Sequence, residues 1–293
     1  MIGNRVLVTG AKGFTGSYVC RALQERGFEV FNLTQDGSLM GETVNLCHYE
    51  RVLESVETIR PNRVIHLAAI AYVGHGNPAD FYNVNVVGTY NLLRALKTVG
   101  SVTGKVILAS SANIYGNKYR DIALSEDLLP SPVNDYAVSK MSMELMARLW
   151  ENEFPLVITR PFNYTGVGQS TNFLIPKIVD AFRKKQEVLH LGNINVGRDF
   201  SDVRDIAGYY VQLMTNKFEG IINLCSGCKY MISDVIALCS HITGHDITVE
   251  SLDCFKRDNE VNVIYGSTDR MRAVFEDRRM YGMRSTLSWM LDV

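Results

Sequence analysis

Short apolar runs recur at residues 5–9, 29–33, 63–67, 105–110 and 156–160, and segments with helical spacing separate each run from the next. Strands that alternate with helices demand crossover connections. The outcome is a parallel sheet covered on both faces, an α/β fold. The intervening helices are expected near 14–26, 47–59, 79–99 and 135–152, the second ending before Pro61. Beyond about residue 163 the rhythm loosens, and Gly166, Gly168, Gly192 and Gly197 mark loops around a helix near 174–185. A helix near 203–216 and a strand at 221–224 bring the chain back to the sheet. The expected organisation is therefore a first domain over 1–163 that regains the chain near 201–225, with a smaller lobe built from 164–200 and 226–293.

A chain of 293 residues can bury a substantial core, and a formal charge of -1 provides no overall basic field for nucleic acid. The N-terminus runs straight into a strand-like segment without a signal-peptide core, and no apolar stretch approaches twenty residues, so the expectation is a cytoplasmic protein with no membrane segment. Cys225-Ser226-Gly227-Cys228 matches a redox or half-metal pattern, but no second pair completes a zinc site. It comes after the apolar 221–224 segment and reads as a strand-end turn; no metal site is expected.

Gly10-x-x-Gly13-x-x-Gly16 lies between the first strand and the first helix. Glycine there permits a tight turn and close approach of backbone to a pyrophosphate, whose charge the helix N-terminus stabilises. The expected ligand is a dinucleotide. The second strand ends at Thr34-Gln35, where an NAD-preferring site places an acid on the ribose; Asp36 comes later. With Lys12 in the glycine loop as a cationic partner for a 2′-phosphate, NADP(H) is favoured over NAD(H), although Lys12 can equally be read as a solvated surface lysine.

Val106 to Ala109 reads as a buried strand that ends in Ser110 and Ser111, at the end of a parallel sheet where ligands bind. Tyr136 and Lys140 stand four residues apart in a helical segment and share a face. A phenol with a pKa of about 10 is a poor acid or base at neutral pH, and a neighbouring cation makes it usable by favouring the phenolate.

Taken together, the glycine loop, His66-Leu67-Ala68-Ala69, Asn85-Val86-Val87-Gly88-Thr89, Ser111, Tyr136-x-x-x-Lys140 and Arg160-Pro161-Phe162-Asn163 resemble the extended short-chain dehydrogenases/reductases, in their nucleotide-sugar-modifying branch. The resemblance covers nearly the whole chain. It implies a Rossmann-type doubly wound parallel sheet with a smaller C-terminal substrate-binding lobe, and a homodimer built from two long helices per subunit. It makes Ser111, Tyr136 and Lys140 the catalytic set: Ser111 holds the substrate oxygen, Tyr136 exchanges a proton with it, and Lys140 holds the nicotinamide ribose and depresses the pKa of Tyr136. Thr9, Gly10, Lys12, Gly13, Phe14 and Gly16 would form the pyrophosphate loop, and Thr34 would sit at the ribose end. Asn45, which replaces a common aspartate, would lie with Leu46 near the adenine. Leu67, Ala68, Ala69 and Phe162 would also line the cofactor, while Asn85 is read as a structural helix residue.

For the nucleotide-sugar substrate, the resemblance points to Ser111, Asn113, Tyr136, Asn163, Asn172, Gly192, Arg198 and Arg257, the two arginines clamping the diphosphate. The two residues after Ser111 narrow the reaction. Sugar 4,6-dehydratases carry an Asp-Glu pair there, but Ala112-Asn113 supplies neither acid nor base. Ala112 and Tyr164 likewise offer no Cys-His pair for epimerisation at C3 and C5. Two readings remain: reduction of a 4-keto group by exchangeable NAD(P)H, or 4-epimerisation with retained NAD. The segments around Arg160–Gln169, Gly192–Asp205 and Arg257–Thr268 most resemble reductases of GDP-4-keto-6-deoxy-D-mannose that form GDP-D-rhamnose, which selects the first. A noncatalytic dinucleotide sensor is the remote alternative, and His75 is left without a chemical role.

Overall fold

A computed structural model describes residues 3–71, 76–119, 121–194, 196–252, 263–276 and 280–292. The chain runs through β1 (Arg5–Thr9), α1 (Phe14–Glu25), β2 (Glu29–Phe31), α2 (Tyr49–Ile59) and β3 (Arg63–His66). It continues through α3 (Pro78–Tyr82), a π-helical turn (Asn83–Val87) and α4 (Gly88–Val99) to β4 (Val106–Ala109). After a 3-10 turn at Ala112–Tyr115 come α5 (Asp135–Arg148), β5 (Leu156–Pro161), β6 (Asn163–Thr165), α6 (Leu174–Arg183) and β7 (Val188–Leu191). Next are β8 (Gly197–Asp202), α7 (Val203–Thr215), β9 (Gly220–Leu224), β10 (Lys229–Met231) and α8 (Ile232–Thr243). The last elements are β11 (Thr248–Ser251), β12 (Val263–Ile264), α9 (Asp269–Val274) and α10 (Met283–Leu291).

Two compact units divide the chain. The first comprises Met1–Ile114, Pro130–Pro161 and Ala207–Ile222. Its sheet has the order β2-β1-β3-β4-β5-β9, with parallel pairing of β1 to β2 and β3, of β3 to β4, and of β4 to β5. This is the Rossmann-type α/β sheet that the rhythm of strands and helices calls for. Val6, Leu7, Val8, Val64, Ile65, Val106, Ile107 and Leu108 are all fully buried, which is why these strands read as continuous apolar runs rather than alternating ones. Strand order reverses at β1, since β2 lies on one side and β3 on the other; ligands of such sheets bind outside the carboxyl ends of the strands at that switch.

Some bounds differ from the sequence expectation, and the helix expected over 135–152 ends at Arg148. β2 stops at Phe31, not residue 33, because Asn32 turns its backbone out of the ladder: its N–H donates to the Gly37 carbonyl and its buried side chain accepts from Leu33 N at 2.9 Å. The helix expected over 79–99 is present as one unbroken run, α3 and α4 joined through the π-helical turn that carries the buried Asn85.

The second unit comprises Tyr115–Leu129, Phe162–Ile206 and Asn223–Val293. β8 is its centre, paired antiparallel to β10 and parallel to β12 and β6, while β7 and β11 form a separate parallel pair. Ile178 and Phe182 of α6, Val235 and Cys239 of α8, and Leu287 of α10 supply its core. Segment 115–129 belongs here because Leu124 N–H donates to the Tyr265 carbonyl and Glu126 accepts from Asn223 N at 2.8 Å. Among the described residues no helix is long and apolar enough to cross a membrane.

Candidate active site

Thr9, the last residue of β1, is buried and fixes the turn that comes after it. Its hydroxyl accepts from Ala68 N at 3.2 Å and bonds His66 Nδ1 at 2.7 Å, and its carbonyl accepts from Leu67 N. The ends of β1 and β3 are thus joined at the topological switch. Gly10 takes φ of +72°, which L side chains rarely adopt, and a Cβ on Gly16 would lie 2.1 Å from the Gly10 carbonyl oxygen. Only glycine allows this close pass of the turn under the start of α1. Gly13 caps α1 without a side chain, and no acid lies in the first turn, which begins at Phe14. The turn suits an anion at the helix start, the chemistry a pyrophosphate requires.

At the ribose end the buried Thr34 donates its hydroxyl to the Ser38 carbonyl at 2.9 Å, and it lies 3.2 Å from Asp36 Oδ1. Ser38 N also donates to Asp36, and these hydrogen bonds hold the exposed carboxyl below the usual carboxylate range. Lys12 is not merely solvated, for its ammonium donates to the Gly41 carbonyl at 2.7 Å. A Cβ on Gly41 would lie 2.6 Å from Asp36 Oδ1, so Lys12 and Asp36 both flank Gly41. The strand end that reads as free of carboxylate carries one, brought back by the tight turn that Ser38 N closes. Asn45 is exposed and accepts from Cys47 N ahead of α2, whereas Leu46 is buried against the Gly88 backbone and offers its carbonyl to Asn91. Leu67, Ala68 and Ala69 are part-buried at the β3 end.

Ser111 lies just beyond β4, buried, and its Oγ accepts from Asn113 N at 3.2 Å. Asn134 caps α5 by accepting from Ala137 N, which sets the first turn containing Tyr136. Tyr136 is 7% exposed and its ring lies 5.9 Å from that of Phe81 in α3. One turn on, Lys140 donates to the Ala109 carbonyl at 2.8 Å, so the helix is pinned to the last residue of β4, two positions before Ser111. Burial pushes the Lys140 ammonium down to about 8, opposed by the Glu144 carboxylate. Glu144 itself forms a two-pronged pair with Arg160 of β5, at 3.1 and 2.8 Å, with both side chains almost wholly buried. Sequence reasoning misses this pair as a support of the site; its one signal is an arginine, Arg160, in an apolar strand.

The second unit holds the other sequence candidates. Phe162 is buried and stacks on Tyr115 at 6.3 Å, and Asn163 Nδ2 donates to the Asp199 carbonyl at 3.4 Å. Arg198 is half-buried and donates to the carbonyl of Gly197 beside it. Asn172 is exposed with its N–H on Ser170, and Gly192 accepts from Ser251 Oγ through its carbonyl. Arg257 and His75 lie outside the described residues. Cys225-x-x-Cys228 forms a turn around the wholly buried Asp199, which accepts from Ser226 N and Oγ, Gly227 N and Gly266 N at 2.6–3.2 Å. The turn is therefore a carboxylate cradle, and Cys225 is buried with burial raising its thiol well above the ordinary value. Among the described residues no cluster could hold a metal ion.

Against known proteins, residues 6–225 match the NAD dependent epimerase/dehydratase family. The GDP-6-deoxy-D-talose 4-dehydrogenase of Aggregatibacter actinomycetemcomitans is 35% identical over 98% of this chain and 96% of its own. The GDP-6-deoxy-D-mannose reductase of Pseudomonas aeruginosa is 34% identical over 72% of this chain and 73% of its own. Among solved structures, RMD from Pseudomonas aeruginosa complexed with NADPH superposes with a TM-score of 0.86 at 28% identity, covering 99% of this chain and 97% of that one.

Proposed function

The chain belongs to the NAD dependent epimerase/dehydratase family, and within it we propose that it reduces the C4 keto group of a GDP-linked 4-keto-6-deoxyhexose at the expense of NAD(P)H. The observation that carries the reading is the buried Lys140, one helical turn beyond Tyr136 and pinned to Ala109 at the end of β4, two residues before Ser111. Both named relatives act on GDP-linked 6-deoxyhexoses, which supports the base and the deoxysugar.

The cradle of Gly10 and Gly16, in which a Cβ would collide with backbone, fits a dinucleotide pyrophosphate, and Thr9, Gly10, Gly13, Phe14 and Gly16 would hold it. When bound, the nicotinamide supplies the hydride. Ser111 Oγ donates to the C4 oxygen and orients it; Tyr136 donates its phenolic proton to that oxygen as negative charge develops. Lys140 keeps a positive charge by the phenol and stabilises the phenolate left behind. Ala112 and Asn113 supply no further acid or base, so the chemistry ends at the C4 alcohol.

Lys12 favours a 2′-phosphate and Asp36 a free 2′-hydroxyl, and with both groups flanking Gly41 the preference for NADPH over NADH is modest. Val87, Tyr90, Leu145 and Leu149, 44–81% exposed on the π-helical turn, α4 and the end of α5, form the contact surface of a homodimer.

The test is turnover of GDP-, UDP-, CDP- and dTDP-linked 4-keto-6-deoxysugars with NADH and NADPH, the C4 configuration of the product being read by NMR. Oxidation of the nicotinamide with the GDP sugar is expected, abolished by Tyr136→Phe. C4 configuration distinguishes a 6-deoxytalose from a rhamnose product. No turnover with any base would refute the proposal, and C4 inversion of an alcohol substrate without net NAD(P)H loss would replace it by 4-epimerisation.

A further inference from the structure

His66 closes β3 and is 3% exposed, yet both of its ring nitrogens are hydrogen-bonded. The direction of these bonds is set by counting hydrogens. Thr89 Oγ1 lies 2.7 Å from the Asn85 carbonyl, which can only accept, so the one hydroxyl hydrogen of Thr89 is committed there. Thr89 Oγ1 must then accept from His66 Nε2, 2.9 Å away. A neutral ring protonated at Nε2 leaves Nδ1 as an acceptor, and Thr9 donates to it at 2.7 Å while the same oxygen accepts from Ala68 N. A cationic ring would carry a second hydrogen at Nδ1, which would turn the Thr9 bond around and take from the Thr9 hydroxyl hydrogen the acceptor it has there. Burial and the charge of Lys140 push the imidazole to about 3, the same direction as the geometry.

The chain of bonds continues beyond Thr89. Asn85 Nδ2 donates to Ser139 Oγ at 3.0 Å, and Ser139 donates to the carbonyl of Tyr136 at 2.8 Å. The amide of Asn85 also exchanges two bonds with the backbone of Ile70. A buried relay of Thr9, His66, Thr89, Asn85 and Ser139 thus runs from the head of the glycine turn to the first turn of α5. All five residues are buried, none more than 3% exposed.

We propose that His66 is a positioning residue: through its bonds to Thr9 and Thr89 the imidazole registers the pyrophosphate turn against the tyrosine helix, so that dinucleotide and proton donor are held in one fixed relation. The inference rests on the reading of the glycine turn and Tyr136 as one reductase site. It assigns a role to a side chain whose two ring nitrogens both bond within the protein, with its effect on the dinucleotide rather than on the sugar.

The experiment combines NADPH and NADH fluorescence titrations with kinetics and 15N NMR of the histidine rings. His66→Phe removes both bonds, whereas the amide of His66→Gln carries a donor and an acceptor at about the separation of the two ring nitrogens and can restore them. Expected are a neutral Nε2-protonated His66 signal that does not move between about pH 5 and 8, and a Kd for dinucleotide raised about tenfold or more in His66→Phe. The sugar KM stays within about twofold, and His66→Gln recovers most of the loss. A titrating or Nδ1-protonated ring overturns the inference, as does wild-type dinucleotide affinity in His66→Phe, or a loss that falls on the sugar KM instead. Should His66→Phe not fold, His66→Gln and the ring signal decide alone. Wild-type protein that binds neither dinucleotide would overturn the reductase reading with it, whereas binding that ignores His66 overturns this inference only.

Discussion

The pair of Glu144 and Arg160 makes the sharpest energetic prediction. Both side chains are nearly inaccessible, at 4% and 3%, and the guanidinium meets the carboxylate with two bonds of 3.1 and 2.8 Å. Forming such a pair stabilises little, because desolvation of two charges offsets their attraction, but removing one partner strands the other's charge in the interior. Glu144→Leu is therefore expected to cost about 3–5 kcal/mol, whereas the double variant with Arg160→Met, which removes both charges, costs far less than the sum of the singles. At about 1.6 °C per kcal/mol for a chain of 293 residues, the single variant should melt about 5–8 °C lower. Chemical and thermal denaturation followed by circular dichroism measure it, with the two single variants and the double closing a cycle. A loss below about 1 kcal/mol in Glu144→Leu, or strictly additive singles, would show that the buried charge is not what holds β5 to α5.

Lys140 makes a pH prediction. With its ammonium brought down to about 8 by burial, the free enzyme is cationic at that site below this pH and neutral above it. Reduction leaves a phenolate that needs the cation, so kcat/KM for ketone reduction should fall on the alkaline side with a limb near 8, and a rate flat to about pH 10 would contradict the assigned role. Glu144→Gln, which removes the charge that opposes this depression, should move the limb lower. At the ribose end, Lys12→Ala is expected to weaken NADPH by about tenfold with little effect on NADH, while Asp36→Asn shifts the ratio towards NADPH; equal effects on the two dinucleotides would remove both residues from 2′ recognition. Leu145→Glu combined with Leu149→Glu should yield monomers by light scattering, and an unchanged dimer would place the contact elsewhere.

What the sequence disclosed, and what it withheld, divides along a physical line. Period and local chemistry were legible: buried parallel strands advertise themselves as unbroken apolar runs, and Gly10 and Gly16 stand where any Cβ collides with backbone. The Tyr136 and Lys140 spacing was legible too, since one helix presents both. Relations made by folding were not. The carboxylate of Asp36 turns back onto Thr34 in a tight turn that Ser38 N closes, so a strand end free of acid in the linear chain is not free of it in space. Asn85 sits in a π-helical turn within the expected helix over 79–99, and its side chain answers the backbone of Ile70, fifteen residues away, a contact that periodicity does not register.

The same division explains why His66 is less legible than its neighbours. In the linear chain it is a histidine at the end of a β-strand, and its consequence depends on Thr9 and Thr89, 57 and 23 residues distant, whose hydroxyl hydrogens decide its tautomer. With those partners in place, neutrality carries a measurable stability signature that no local reading could supply. The unfolded ring takes up a proton below about 6.5, whereas the folded ring holds off to about 3, so acidification favours the unfolded chain across that window. At about pH 4.5, roughly two units below the unfolded value, this amounts to about 3 kcal/mol from this one group. His66→Gln has no proton to take up and should lack that component: its stability deficit relative to wild type must shrink as pH falls from about 7 to about 4.5. A deficit that stays constant over the same range would mean that the ring charges readily in the folded protein and that the relay through Thr9 is not held as the hydrogen count requires.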